Sequence, residues 1–288
     1  THERAALVEH VARHPADSRG ALLLGRLLVE TGALAEARAA LATAAAANPT
    51  DPDLLLAQVE CAVLSVEGCA PDPGTARAAA AALSAVAPGT WQDLYAGGRV
   101  ALDEGDVQRA ARLLEQAAHA APWSGRTHAL LGVALQREGR SGEARRALGR
   151  AIEVAPELEL PRRALTDLVL EVAARELRDG DRAAALRVLG EAVDRGAGVR
   201  AGEIALATLQ VSRSGDRRLL ERARAECERL LAGPEAADPA VRSQLWFALG
   251  GIAAELRDDH GLLQATARHL EAAPDLPRAH ARHAAALA

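Results

Sequence analysis

The residues that could do chemistry in this 288-residue chain are nine histidines, three cysteines and 34 cationic side chains, every one of them arginine. His2-Glu3 opens the zinc-protease pattern H-E-x-x-H, but Ala6 stands where the second histidine is needed. Asp258-Asp259-His260 offers metal-type donors in a stretch that reads as a turn between helices, where polar residues are expected anyway. His280 and His283 lie one helical turn apart, with His269 upstream, yet nothing in the sequence supplies partners to orient their rings. They read as solvated residues of a terminal helix. No serine sits in G-x-S-x-G and no G-x-G-x-x-G is present. Without lysine there is neither a Walker-type phosphate loop nor a Schiff base. Cys61, Cys69 and Cys227 are too few and scattered for a disulfide framework. Cys61 and Cys227 read as small apolar residues, and Cys69 as an exposed loop thiol open to redox chemistry. The expectation is a chain with no catalytic residues, no metal and no cofactor. Its arginines remain, as forks suited to carboxylates.

The elements that position these residues are helices. Alanine fills about a quarter of the chain, 49% is apolar, and only 2% is aromatic. The net charge of −5, without a long block of either sign, gives no nucleic-acid footprint. No apolar run approaches the roughly 18 residues of a membrane span, and no signal peptide is visible at Thr1-His2-Glu3-Arg4. A reducing, cytoplasmic setting is expected. The all-arginine, alanine-rich usage suits a bacterial gene of high GC content. The missing methionine leaves room for a larger parent protein.

The helices recur. Pro88, Pro122 and Pro156 are spaced by 34 and 34. Gly25, Ala37, Leu41 and Ala44 precede Pro49 at the same offsets as Gly98, Ala110, Leu114 and Ala117 precede Pro122, and as Gly132, Ala144, Leu148 and Ala151 precede Pro156. A second glycine follows the first by seven, at Gly32, Gly105 and Gly139. Physically, two helices cross closely where the first glycine and the alanine meet. The second glycine ends the first helix in a left-handed conformation, and the proline blocks continuation of the second helix.

This pattern resembles the tetratricopeptide repeat, in softened form. Trp246-Phe247-Ala248-Leu249-Gly250-Gly251-Ile252-Ala253 is close to the first half of that repeat, and Leu131-Gly132 with Ala144, Leu148 and Pro156 gives a whole one. The resemblance implies an all-α fold, a right-handed α-solenoid of about seven helix–turn–helix repeats forming one superhelical domain over 1–288. An orphan or cap helix is expected at 1–15 and a C-terminal cap helix at 277–288. The repeats fall at about 18–51, 52–90, 91–124, 125–158, 159–199, 200–236 and 243–276. Repeat two carries five extra residues in the loop 67–74, and repeats five and six are degenerate.

In such arrays the first helix of each repeat lines the concave face, where the family's ligands lie. Projection places Arg99, Arg126, Arg137, Arg178 and Arg213 there, with the aromatic residues Tyr95 and Phe247. The plainer reading pairs these arginines with Asp103, Glu153 or other nearby acids and packs the two rings into neighbouring repeats. Some family members clamp chaperone C-termini with lysine and asparagine; this chain has no lysine, and its one asparagine, Asn48, falls in a turn, so that role is not expected. The function implied is a non-enzymatic protein–protein interaction scaffold. It would bind a peptide or partner protein, an acidic segment by the arginine count, with no nucleic-acid or membrane partner. The alternative is the interaction arm of a larger enzyme or transcriptional regulator.

Overall fold

A computed structural model describes residues 2–14, 16–66, 68–194 and 217–287. Among them the fold is all-α. Fifteen helices follow in order: α1 (His2–Arg13), α2 (Ser18–Glu30), α3 (Leu34–Ala47), α4 (Pro52–Val63), α5 (Pro73–Val86), α6 (Trp91–Glu104), α7 (Val107–Ala120), α8 (Gly125–Arg137), α9 (Ser141–Val154), α10 (Glu159–Arg178), α11 (Arg182–Asp194), α12 (Arg217–Leu231), α13 (Pro239–Leu256), α14 (Asp259–Ala272) and α15 (Pro277–Leu287). A short 3-10 turn, Pro234–Ala237, precedes α13. The chain divides into two compact units, Thr1–Arg140 and Ser141–Ala288.

In the first unit each helix packs on the next, α2 on α3, α4 on α5 and α6 on α7. Successive first helices also touch: α2 packs on α4, α4 on α6 and α6 on α8. In the second unit α9 packs on α10, α10 on α11, and α13, α14 and α15 follow one another. The polar residues at the turns cap the helices. Asp51, Asp72, Thr90, Asp106, Ser124 and Asp258 each accept from a backbone N–H of the first turn they precede, a cap worth about 1 kcal/mol.

The repeated small residues sit in the core. Ala37, Ala44, Ala110, Ala117, Ala144 and Ala151 are fully buried, with Leu41, Leu114 and Leu148 on the same faces. One detail differs from the sequence expectation. The atoms nearest the space beside Gly25 and Gly98 belong to Leu41 and Leu114, not to Ala37 or Ala110. Side chains on a helix lean toward its N-terminus, so the leucine reaches back over the crossing and lies against the bare glycine backbone. Each pair is 16 residues apart in sequence.

The same crossing is filled differently elsewhere. Val59 is the eighth residue of α4, as Gly25 is of α2 and Gly98 of α6. Sixteen residues on, plus the five inserted, stands Ala80. Both belong to one apolar cluster with Leu55, Ala79, Leu83 and Ala96. Large and small have exchanged helices, which conserves volume at the crossing. In the second unit the corresponding residues are Ala173 and Leu189, both buried, and Gly250 with Thr266.

The turns after the first helices show why glycine recurs. Gly32, Gly105 and Gly139 adopt φ of 76°, 82° and 83°, a region where a Cβ would clash with the following carbonyl. Gly180, seven residues after Ala173, does the same at 85°. Seven after Gly250 stands Arg257 instead, and it adopts φ 57°. Among the described residues it is the only non-glycine with positive φ. In the degenerate region Ala185 and Leu189 of α11, and Ala223, Cys227 and Leu230 of α12, are buried.

Candidate binding face

Three first helices of the unit Thr1–Arg140 bring charged side chains together. Glu60 is in the last turn of α4, Tyr95 and Arg99 are on α6, and Arg126 is in the first turn of α8. The Glu60 carboxylate accepts from the Tyr95 hydroxyl at 3.1 Å and from Arg126 Nη1 at 3.1 and 2.9 Å. Tyr95 is only 5% exposed, and the Trp91 ring meets its edge at 6.4 Å between centroids. Burial drives the Tyr95 phenol well above its ordinary range, and the Glu60 charge adds to this; Arg99 and Arg126 oppose it. The phenol therefore stays protonated and acts as a donor.

Arg99 Nε lies 3.4 Å from Asp103 Oδ2, an ion pair one helical turn apart. That Nε is buried and forms no hydrogen bond among the described residues. Arg137, exposed at the end of α8, donates Nη1 to the Leu102 carbonyl at 3.2 Å. The Arg126–Glu60 pair is open to water, with side chains 62% and 30% exposed, so its strength is screened to a fraction of a kcal/mol up to about 1.

The remaining sequence-derived candidates fall elsewhere. Arg178 is exposed in the last turn of α10, in the unit Ser141–Ala288. Arg213 lies outside the described residues. Phe247, on α13 of the second unit, is covered by the Arg282 guanidinium 4.0 Å above its ring and by the edge of His269. Glu153 pairs with Arg150 on its own helix. His269 is buried beside Ser243, whereas His280 is exposed with Nε2 2.7 Å from the Pro274 carbonyl. Asp258 caps α14 and accepts from Arg224 at 2.7 Å. Among the described residues no group of three or more His, Cys, Asp or Glu side chains is placed to hold a metal ion, and no helix is long and apolar enough to cross a membrane.

Glu60 is the residue that sequence reasoning missed. It follows Val59 as Arg99 follows Gly98 and Arg26 follows Gly25, so it occupies the same slot on its helix. The signal was there once the five inserted residues are removed, but it hung on a glycine that α4 has replaced by valine.

Residues 101–168 match the family model described as tetratricopeptide repeat. That segment carries tetratricopeptide repeats. The solved structure of PilF from Pseudomonas aeruginosa is similar, with a TM-score of 0.50 at 15% identity, covering 74% of this chain and 90% of that one. MamA (residue 41 to the end) from Desulfovibrio magneticus RS-1 aligns at a TM-score of 0.41 and 19% identity, over 60% of this chain and 90% of that one. YrrB, described as a tetratricopeptide-repeat protein with an unusual peptide-binding site, aligns at 0.43 and 17%, over 66% and 92%. No curated protein matches the chain. The Glu60–Tyr95–Arg126 cluster draws on α4, α6 and α8, and of these α8 lies wholly within the matched segment.

Proposed function

We propose that the chain is a non-enzymatic interaction scaffold, and that the first-helix face of the unit Thr1–Arg140 binds a carboxylate-bearing segment of a partner protein or peptide. The tetratricopeptide-repeat match supports the scaffold role. The observation that carries the finer reading is that this face already grips a carboxylate. Arg126 and the buried Tyr95 hydroxyl converge on Glu60, through a pair exposed enough for a ligand carboxylate to compete for the guanidinium. Arg99 adds a second guanidinium on α6, its buried Nε ion-paired with Asp103 at 3.4 Å without a hydrogen bond, and Arg137 adds an exposed fork further along α8. Arg178 and Phe247 are separate candidate contacts of the second unit, and Arg213 is one outside the described residues.

The test is isothermal titration of acidic and charge-neutralised versions of one peptide against the wild type, Arg99→Ala, Arg126→Ala and Arg137→Ala. A charge-assisted hydrogen bond contributes about 1.5–3 kcal/mol, so each loss should weaken the acidic peptide by roughly tenfold or more. The neutralised peptide should be indifferent to the substitutions. Equal affinities for all proteins would remove the proposal.

A further inference from the structure

The loop between α4 and α5 runs over residues 64–72, where α2–α3 and α6–α7 turn in three and two residues. Its described residues, 64–66 and 68–72, are held by hydrogen bonds. Val66 and Cys69 pair as an antiparallel bridge, with backbone hydrogen bonds of 3.2 and 3.0 Å. Asp72 N donates to the Ala62 carbonyl at 2.8 Å. The Arg38 guanidinium, reaching over from α3, donates to four carbonyls: Nε to Cys61 at 3.2 Å, Nη2 to Ala62 at 3.1 Å and to Leu64 at 2.9 Å, and Nη1 to Ala70 at 2.7 Å. One guanidinium thus bridges the carbonyl of Cys61 and that of the residue after Cys69. The inserted loop is folded back onto the C-terminal turn of α4.

That fold-back places Cys69, half-buried, against the same apolar cluster that contains Cys61, itself 3% exposed. Burial pushes the Cys61 thiol up, with Arg38 opposing and Cys69 adding to the rise. Cys227, fully buried, belongs to the other unit.

We infer that Cys61 and Cys69 form an oxidisable pair that closes a disulfide when the protein meets a hydroperoxide, stapling the inserted loop to α4. The half-buried Cys69 reacts first, as thiolate. Its sulfur attacks the peroxide, an S–O bond forms, the O–O bond breaks, and the departing hydroxide takes a proton to become water. Cys61 sulfur then attacks Cys69 sulfur. The S–S bond forms, the S–O bond breaks, and the Cys61 proton leaves with the hydroxide as a second water. The two thiols supply the two electrons that reduce one hydrogen peroxide to two waters. The staple would sit one residue from Glu60 and so would fix the end of α4 that carries the carboxylate.

Trypsin cleaves after arginine, and no arginine lies between Arg38 and Arg77, so peptide 39–77 contains both thiols. The full chain is treated with hydrogen peroxide, denatured, alkylated without reductant, digested and weighed. Peptide 39–77 is expected to lose two hydrogens and to carry no alkyl group. After reduction with a phosphine it should carry two. Cys69→Ser should leave Cys61 fully alkylated after the same treatment, with an unchanged helical circular-dichroism signal. Two alkyl groups after peroxide, or one together with a sulfinic or sulfonic acid at Cys69, would overturn the inference. So would a bond from either cysteine to Cys227 or to a second chain.

Discussion

The Cβ that any side chain would add at Gly98 falls 2.7 Å from Leu114 Cγ, closer than two such atoms approach in folded proteins. The glycine in α6 and the leucine in α7 are therefore one packing unit. Gly98→Ala should cost about 1–3 kcal/mol, read as a lower urea midpoint. Gly98→Val alone should be worse. Adding Leu114→Ala should recover part of that loss, because Val59 and Ala80 already realise the exchanged arrangement. A double-mutant cycle measures the recovery, and strict additivity would count against the pairing.

Gly250 gives the opposite forecast. A Cβ there would meet Thr266 Cγ2 at 3.6 Å and Ala265 Cβ at 3.8 Å, ordinary contacts. Gly250→Ala should raise the midpoint, by roughly 0.5–1 kcal/mol of helix propensity. A loss as large as that of Gly98→Ala would show that the two crossings are equally tight.

Arg257 holds a left-handed conformation at the end of α13 that Gly32, Gly105, Gly139 and Gly180 hold in other hairpins. A non-glycine residue pays about 1–2 kcal/mol there, partly offset in Arg257→Gly by the freer unfolded chain. The net expectation is a gain of about 1 kcal/mol in chemical denaturation. A destabilised variant would mean that the arginine side chain contributes more than the backbone loses.

His269 predicts a pH dependence. It is 5% exposed, with Nδ1–H donating to the Ser243 carbonyl at 3.0 Å, Phe247 at its edge and the Arg282 charge nearby on α15. Burial, and then Arg282, hold its pKa below the ordinary value of 6.5. The folded state therefore prefers the neutral ring. Its contribution is fully present above pH 6.5 and is lost as the pH falls toward the depressed folded value, where the unfolded chain takes the proton first. Urea midpoints at pH 7.5 and 5.0 should differ more for the wild type than for His269→Gln. An equal difference would place the titration elsewhere.

At the binding face, Glu60→Gln should keep an acceptor for Tyr95 while freeing Arg126 from its internal carboxylate. Affinity for an acidic peptide should rise several-fold, the reverse of Arg126→Ala. An unchanged or lowered affinity would mean that Glu60 supports the ligand and does not compete with it.

What the sequence disclosed was whatever depends on residue identity at a fixed offset. Gly98, Leu114 and Gly105 are legible because a single residue type satisfies each constraint. Val59 and Ala80 satisfy the crossing by their summed volume, so no identity repeats and the register of α4 was lost, taking Glu60 with it. Arg257 meets a backbone requirement with the wrong residue, which a pattern of glycines passes over. Arg38 could not be read at all, since its four acceptors lie 23 to 32 positions away, two in the last turn of α4 and two on the irregular loop after it.

The position just after each crossing residue has a consequence of its own. It holds Arg26 on α2, Glu60 on α4, Arg99 on α6 and Val133 on α8: positive, negative, positive, neutral. The crossing fixes the backbone beneath these side chains but places no demand on their charge. The unit therefore carries a short line of text, one letter per hairpin, printed on a page whose binding is made by other residues. A letter can be rewritten without loosening the page.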